Sequence, residues 1–355
     1  MKKSTYLVVL MSLVLVGCGN AGDTASSSSS VEVKKVVVKN DPVVQSSEVS
    51  ESVGSGESES VVTPNELTYD QHEYTYDVVT GATQTTFGSN PAPKYSKEEK
   101  LSKMFWSNQP PLGLLEGYYY RNEGLFDGGN NGVVEIVTAK DDAKILNVEF
   151  TEFASDHYYE SRYSGVNKRL SDYPFFQADN PRTDDTLATV VNGITFLEKQ
   201  MRDENRVTGN FDTVNGSSTS ARRGFMPLAA AMDDWIRKPY ESEYMGYAEE
   251  LENGLIGRLQ VVTTDGKITD ASYDEYFADT PEKMTDEALK PYYRQSKYYS
   301  LSYNQATNNE FVTFADKLTS EIVGQQSLVI EDPELKGHPA YATYEKIAKQ
   351  MKIEE

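Results

Sequence analysis

Seven residues carry the sharpest chemical signal in the chain: Asp77-Val78-Val79-Thr80-Gly81-Ala82-Thr83. The Thr83 hydroxyl follows two residues with almost no side chain. Gly81 and Ala82 let a reaction partner come close to the backbone. Asp77 and Thr80 can tie the loop through side-chain-to-backbone hydrogen bonds. Such a loop offers an exposed hydroxyl as a nucleophile for ester formation. The plainer alternative is a strand-to-helix turn with a threonine cap. A second copy, Asp212-Thr213-Val214-Asn215-Gly216-Ser217-Ser218, sets Asp212, Gly216, Ser217 and Ser218 opposite Asp77, Gly81, Ala82 and Thr83. It departs at two positions: Asn215 replaces the hydroxyl residue before the glycine, and Ser217 replaces alanine. A third stretch, Asp332 to Pro339, keeps an Asp and a Gly but has Lys336-Gly337-His338-Pro339 where a hydroxyl is needed.

Other chemistries are poorly supplied. One Cys in 355 residues excludes an intramolecular disulfide and a cysteine-rich metal site. His72, His157 and His338 are dispersed, with no metal-ligand spacing, so no metal is expected. With 34 Lys+Arg against 55 Asp+Glu, the net charge of −21 opposes nucleic-acid binding, which needs a basic face. There is no nucleophile elbow and no phosphate-binding glycine-rich loop. Gly128 to Gly132 reads as a turn ahead of a strand.

The lone cysteine indicates a compartment. Lys2 and Lys3 precede an apolar run from Tyr6 to Gly17, too short for a span of about 20 residues. Residues 1–17 read as a signal peptide. Leu15-Val16-Gly17-Cys18 resembles a bacterial lipobox, which implies diacylglycerol on the Cys18 sulfur and a protein tethered to the outer face of the cytoplasmic membrane. Two acyl chains give stable anchoring where one is marginal. Residues 18–68 form a Ser-, Val- and Glu-rich segment that cannot bury enough surface to offset chain entropy, so it is expected to be a disordered tether.

Thr83 and its surroundings resemble the acceptor motif of covalent FMN-binding domains, Asp-x-x-Ser/Thr-Gly-Ala-Thr/Ser. Such domains occur in a subunit of sodium-pumping quinone reductase and in Gram-positive electron-transfer lipoproteins. The resemblance implies that a flavin transferase joins FMN to the final hydroxyl as a phosphodiester. It marks Thr83 as the acceptor, with Asp77, Thr80, Gly81 and Ala82 around it, and Ser218 with Asp212, Gly216 and Ser217 as a second candidate. It further implies electrons arriving from a membrane NADH dehydrogenase through quinol and leaving to extracellular acceptors such as ferric iron. Two competing readings are a solute-binding lipoprotein with Tyr-rich clefts and a structural lipoprotein without flavin.

The elements that position these loops come from a divergent internal repeat. Gly132–Thr138 matches Gly257–Thr263, Asp142–Ile145 matches Asp265–Ile268, and Glu149–Phe153 matches Ser272–Tyr276. These read as two alternating strands joined by a hairpin turn. Arg169 to Tyr173 then aligns with Arg294 to Tyr298. Helices are expected around 196–201 and 314–318, and over Ala221–Trp235 and Tyr341–Met351. The fold class is thus α+β, with two tandem FMN-binding-like domains, 112–238 and 244–350, behind the tether. Residues 69–106 stand apart, with a strand over Glu73–Val79 and a helix from Ser96 to Trp106. Because the 332–339 loop has lost its hydroxyl, this segment is expected to dock on the second repeat and replace it; packing on the first repeat is the alternative. Flavin contacts are sought among Tyr158, Tyr159, Tyr163, Tyr173, Phe175 and Phe176, and among Tyr292, Tyr293, Tyr298, Tyr299 and Tyr303 of the second repeat. Arg169 and Arg294 could bond flavin carbonyls or pair with carboxylates. Glu152 and Glu275, also matched, are candidates near the cofactor.

Overall fold

The computed structural model describes residues 63–69, 72–82, 96, 98, 101, 107–179, 190–214 and 220–351. Two short strands come first, β1 (Thr63–Tyr69) and β2 (His72–Ala82). The first half then runs β3 (Gly113–Phe126), β4 (Asn130–Thr138), β5 (Ile145–Phe153), α1 (Tyr173–Asp179), α2 (Val190–Asp203) and β6 (Phe211–Val214). It closes with a π-helical turn, Ser220–Phe225, and α3 (Met226–Ala230). The second half runs β7 (Ser242–Glu250), β8 (Ile256–Thr264), β9 (Lys267–Tyr276), α4 (Leu301–Ala306), α5 (Glu310–Gln325), α6 (Pro333–Lys336) and α7 (Tyr341–Ala348).

The protein is α+β, with one six-stranded antiparallel sheet ordered β5-β4-β3-β7-β8-β9. The repeat is visible in that order. β3–β5 and β7–β9 run outward from a central β3–β7 ladder, in which Leu115 faces Gly246 and Gly117 faces Tyr244. The two repeats therefore share a sheet through strands β3 and β7. Register confirms the strand matches. Gly132 pairs with Glu152 in one half, and Gly257 with Glu275 in the other. Both glycines admit a helix. A Cβ on Gly132 would meet Leu228 Cδ1 at 2.9 Å, and one on Gly257 would meet Ile347 Cδ1 at 2.6 Å.

Side-chain alternation gives the sheet two unlike faces. Tyr120, Val134, Ile136, Val148 and Phe150 pack beneath α2 and α3. Leu259, Val261 and Tyr273 pack beneath α5 and α7. The opposite face is rich in polar groups: Tyr119, Glu135, Glu149, Tyr244, Arg258 and Gln260. Arg258 on β8 bonds Glu149 on β5 at 3.0 Å. In a flat sheet those strands would lie four spacings, roughly 19 Å, apart. The sheet is therefore rolled, with its polar face inside.

Several sequence expectations need correction. β1 begins at Thr63, inside the stretch read as tether, because an extended backbone needs only a partner strand, and β2 supplies one from Thr63↔Val78 to Tyr69↔His72. The described residues of the 69–106 segment pack on the first repeat, not on the second as expected. β2 pairs with β6 of the first, Val78↔Val214 and Ala82↔Phe211, and Leu101 packs against the first-half core. The second repeat has no strand to receive β2, since the stretch corresponding to β6 leads into α6, where Asp332 caps the helix by accepting from the N–H groups of Glu334 and Leu335. Of the expected 96–106 helix, Ser96, Glu98 and Leu101 are described; Glu98 and Leu101 are helical and Ser96 is not.

Candidate functional site

The acceptor motif begins on a β-ladder whose register shifts between Val79 and Ala82. Asp77, Thr80, Gly81 and Ala82 all lie on β2. Asp212 lies on β6, next to it. On its other side β6 is held by one side chain. Gln200 of α2 accepts from the Asp212 N–H and donates to the Asp212 carbonyl, both at 2.8 Å, as a neighbouring strand would. The chain leaves β2 toward Thr83 where Ala82 faces Phe211. It leaves β6 toward Ser218 at the other end, where Val214 faces Val78. The ladder thus separates the two motifs' exits. Thr83, Gly216, Ser217, Ser218 and Cys18 lie outside the described residues.

The first half also builds a buried polar pair inside an aromatic cluster. Lys168 donates to Glu152 at 2.6 Å, with both side chains almost wholly buried. Its ammonium sits 4.9 Å from the Tyr158 ring centre and 5.3 Å from that of Tyr173. The Tyr158 and Tyr173 hydroxyls share a hydrogen bond of 2.7 Å. Tyr163 and Phe176 stack at 4.4 Å. Burial raises the Tyr163 phenol to about 12 and lifts Tyr158 and Tyr173 further. All three are neutral donors at physiological pH.

The second half repeats the pair. Lys297 bonds Glu275 at 2.5 Å. The backbone fixes the equivalence, because Lys168 N–H donates to the Glu152 carbonyl and Lys297 N–H to the Glu275 carbonyl. Asn167-Lys168-Arg169-Leu170-Ser171 therefore corresponds to Ser296-Lys297-Tyr298-Tyr299-Ser300. This corrects the alignment of Arg169 with Arg294. Arg169 instead forms a buried ion pair with Glu198 at 2.5 Å, the carboxylate alternative. Burial pushes Glu198 up, against the pull of Arg169. Arg294 donates to the Asp279 carbonyl at 2.9 Å. The shared Lys and Ser of the two pentapeptides were the sequence signal for this alignment.

One difference separates the halves. In the second, Tyr273 donates to Glu275 Oε1 at 2.9 Å and Lys297 takes Oε2, so the carboxylate is filled. In the first, Phe150 stands at the position of Tyr273 and brings no hydroxyl. Glu152 Oε2 is buried with no hydrogen-bond partner among the described residues. An unsatisfied buried acceptor of this kind is costly unless a ligand or water meets it. An orphan acceptor, a lysine and a wall of aromatic rings suit a flat heteroaromatic group with N–H and C=O edges. In chemical kind, these residues of the first half are ones that a flavin edge would need.

Most aromatics of the second half are otherwise employed. Tyr292, Tyr303 and Phe277 pack on one another. Tyr298 donates to Asp316 at 2.7 Å. Among the described residues no cluster of His, Cys, Asp and Glu is arranged to hold a metal, and no helix is long and apolar enough to cross a membrane. The chain matches no protein-family model, no curated protein and no solved structure.

Proposed function

We propose that the protein is a membrane-anchored extracellular electron carrier with FMN attached covalently at Thr83, and that its two halves are tandem FMN-binding-like units behind a lipidated Cys18 and a flexible tether. The observation that carries the reading is the acceptor motif at the end of β2, laid along the half of the molecule whose Glu152 has an unfilled acceptor. FMN, when bound, supplies reversible electron uptake that no side chain of this chain offers. The protein's own residues do the rest. Lys168 and Glu152 would meet the ring edges, the neutral Tyr158 and Tyr173 would wall the slot, and Gln200 fixes the ladder from which the acceptor loop departs. Covalent attachment suits an exported protein, which would lose a dissociable cofactor to the medium. Its expected partners are a flavin transferase, the membrane NADH dehydrogenase and quinol pool, and acceptors such as ferric iron.

The test is intact mass after co-expression with a flavin transferase. One added FMN phosphodiester is expected, lost in Thr83→Ala. Ser218→Ala then reports whether the second motif is used. An unmodified mass would sink the carrier reading and leave a solute-binding or structural lipoprotein.

A further inference from the structure

The rolled sheet encloses a second feature that the flavin reading does not use. A cavity of about 290 Å³ lies against the polar inner face, between the β4–β5 edge and the β8–β9 edge. None of its lining residues belongs to β2 or β6. Five carboxylates line it, Glu135, Glu149, Asp270, Asp274 and Asp316, against one lining cation, Arg121. Glu149 is matched by Arg258, and Arg121 is shared between Glu123, at 2.8 Å, and the charges of Glu135 and Asp270. The remaining charge is negative. Tyr298, Tyr299 and Phe153 add aromatic surface to the same wall.

Acidity alone would not make this a site. Asn167 makes the second, independent case. It is 2% exposed and lines the cavity. Its Oδ1 accepts from the N–H groups of Arg169 and Leu170, both at 2.9 Å. Those two bonds fix which way the amide points. Its Nδ2 has no hydrogen-bond partner among the described residues. A buried donor of this kind calls for an oxygen acceptor. The carboxylates and ring faces call for a cation, and organic ammonium ions satisfy both at once. Burial also raises Glu135 and Asp274, the penalty that a bound cation would relieve.

We infer that this cavity binds a small organic ammonium ion carrying an oxygen acceptor, with the cation against the carboxylates and tyrosines and the oxygen on Asn167 Nδ2. The inference does not rest on the flavin reading. It is tested on the full chain by calorimetric titration with glycine betaine and with choline, using tetramethylammonium and glucose as comparators. Saturable binding of at least one oxygen-bearing probe is expected, with a Kd below about 1 mM and tighter than tetramethylammonium. Asp270 and Asp316 are exposed, so Asp270→Asn/Asp316→Asn should fold normally; it should weaken binding roughly tenfold. Asn167→Asp keeps the Oδ1 bonds and removes the donor, so it should abolish the preference of the bound oxygen-bearing probe over tetramethylammonium. Failure of both probes to bind, equal binding of glucose, or unchanged affinity in the double variant would each overturn the inference.

Discussion

At the scale of single residues the inner face depends on one ion pair. Arg258 and Glu149 have side-chain exposures of 5% and 17%, and the arginine also reaches the Tyr244 and Tyr276 hydroxyls. Burial works against the Glu149 charge, but Arg258 and Arg169, with hydrogen bonds from Arg258 and Asn147, together hold the carboxyl below its usual range. Removing one partner strands the other. Glu149→Ala or Arg258→Ala should each cost about 3–5 kcal/mol in urea unfolding, while Arg258→Met/Glu149→Leu together should lie near wild type. Asp274 makes a pH statement. Burial raises it to about 7, while hydrogen bonds from the Glu275 and Tyr298 N–H groups pull the other way. Between about pH 4 and pH 7 the unfolded chain has this group ionised and the folded chain keeps it protonated. The folded state then binds more protons, so stability falls as pH rises through that window. Asp274→Asn retains Oδ1 as the acceptor and should flatten this part of the profile, read as unfolding midpoints across pH. None of this was legible from residue type. Glu149 and Arg258 stand 109 positions apart, and only the curl of the sheet joins them. Lys168, in contrast, left a trace in the Lys and Ser shared with Ser296–Ser300; the competing Arg169–Arg294 match concealed it.

At the scale of elements, local pattern served best where one face is apolar. β4, β5, β8 and β9 alternate clearly, and the turns between them are built as read. Lys144 N–H is held by Asp142 at 2.9 Å, and Gly266 takes a φ of +73°. α2 and α5 fall on the expected helical stretches. β3 and β7 were not read as strands. Their runs of Tyr, Gly and Glu carry no clean apolar period, and each is fixed by neighbours on both sides rather than by its own composition. The long helix of each half terminates in a matched way. Asn205 after α2 and Gln326 after α5 both adopt positive φ and accept from an N–H at the start of an edge strand, that of Ile145 and that of Ile268. The glycines beneath the helices give a test of packing. Gly257→Ala should cost about 1–3 kcal/mol, because its Cβ collides with Ile347 Cδ1. Ile347→Val lacks that atom, so a double-mutant cycle should show favourable coupling between the two.

At the scale of the whole molecule the two repeats should unfold together. The central ladder runs from Gly113↔Ala248 to Tyr118↔Glu243, and loops also cross, with Ser296 N–H donating to the Leu170 carbonyl and Asn108 donating to carbonyls of both Arg169 and Arg294. Gly132→Ala in one half and Gly257→Ala in the other are expected to shift the same single calorimetric transition, with equal calorimetric and van't Hoff enthalpies. Two transitions would mean that the halves are thermodynamically separate. The antiparallel β3–β7 joint has a wider consequence. Two identical half-chains, each presenting the same first strand, would rebuild this sheet as a twofold-symmetric dimer. Joining them in one chain makes assembly independent of concentration and releases each copy from having to match the other. One copy has then filled its carboxylate with the Tyr273 hydroxyl, while the other has kept Phe150 and an unfilled Glu152 oxygen. A symmetric dimer could not hold both states at the same position.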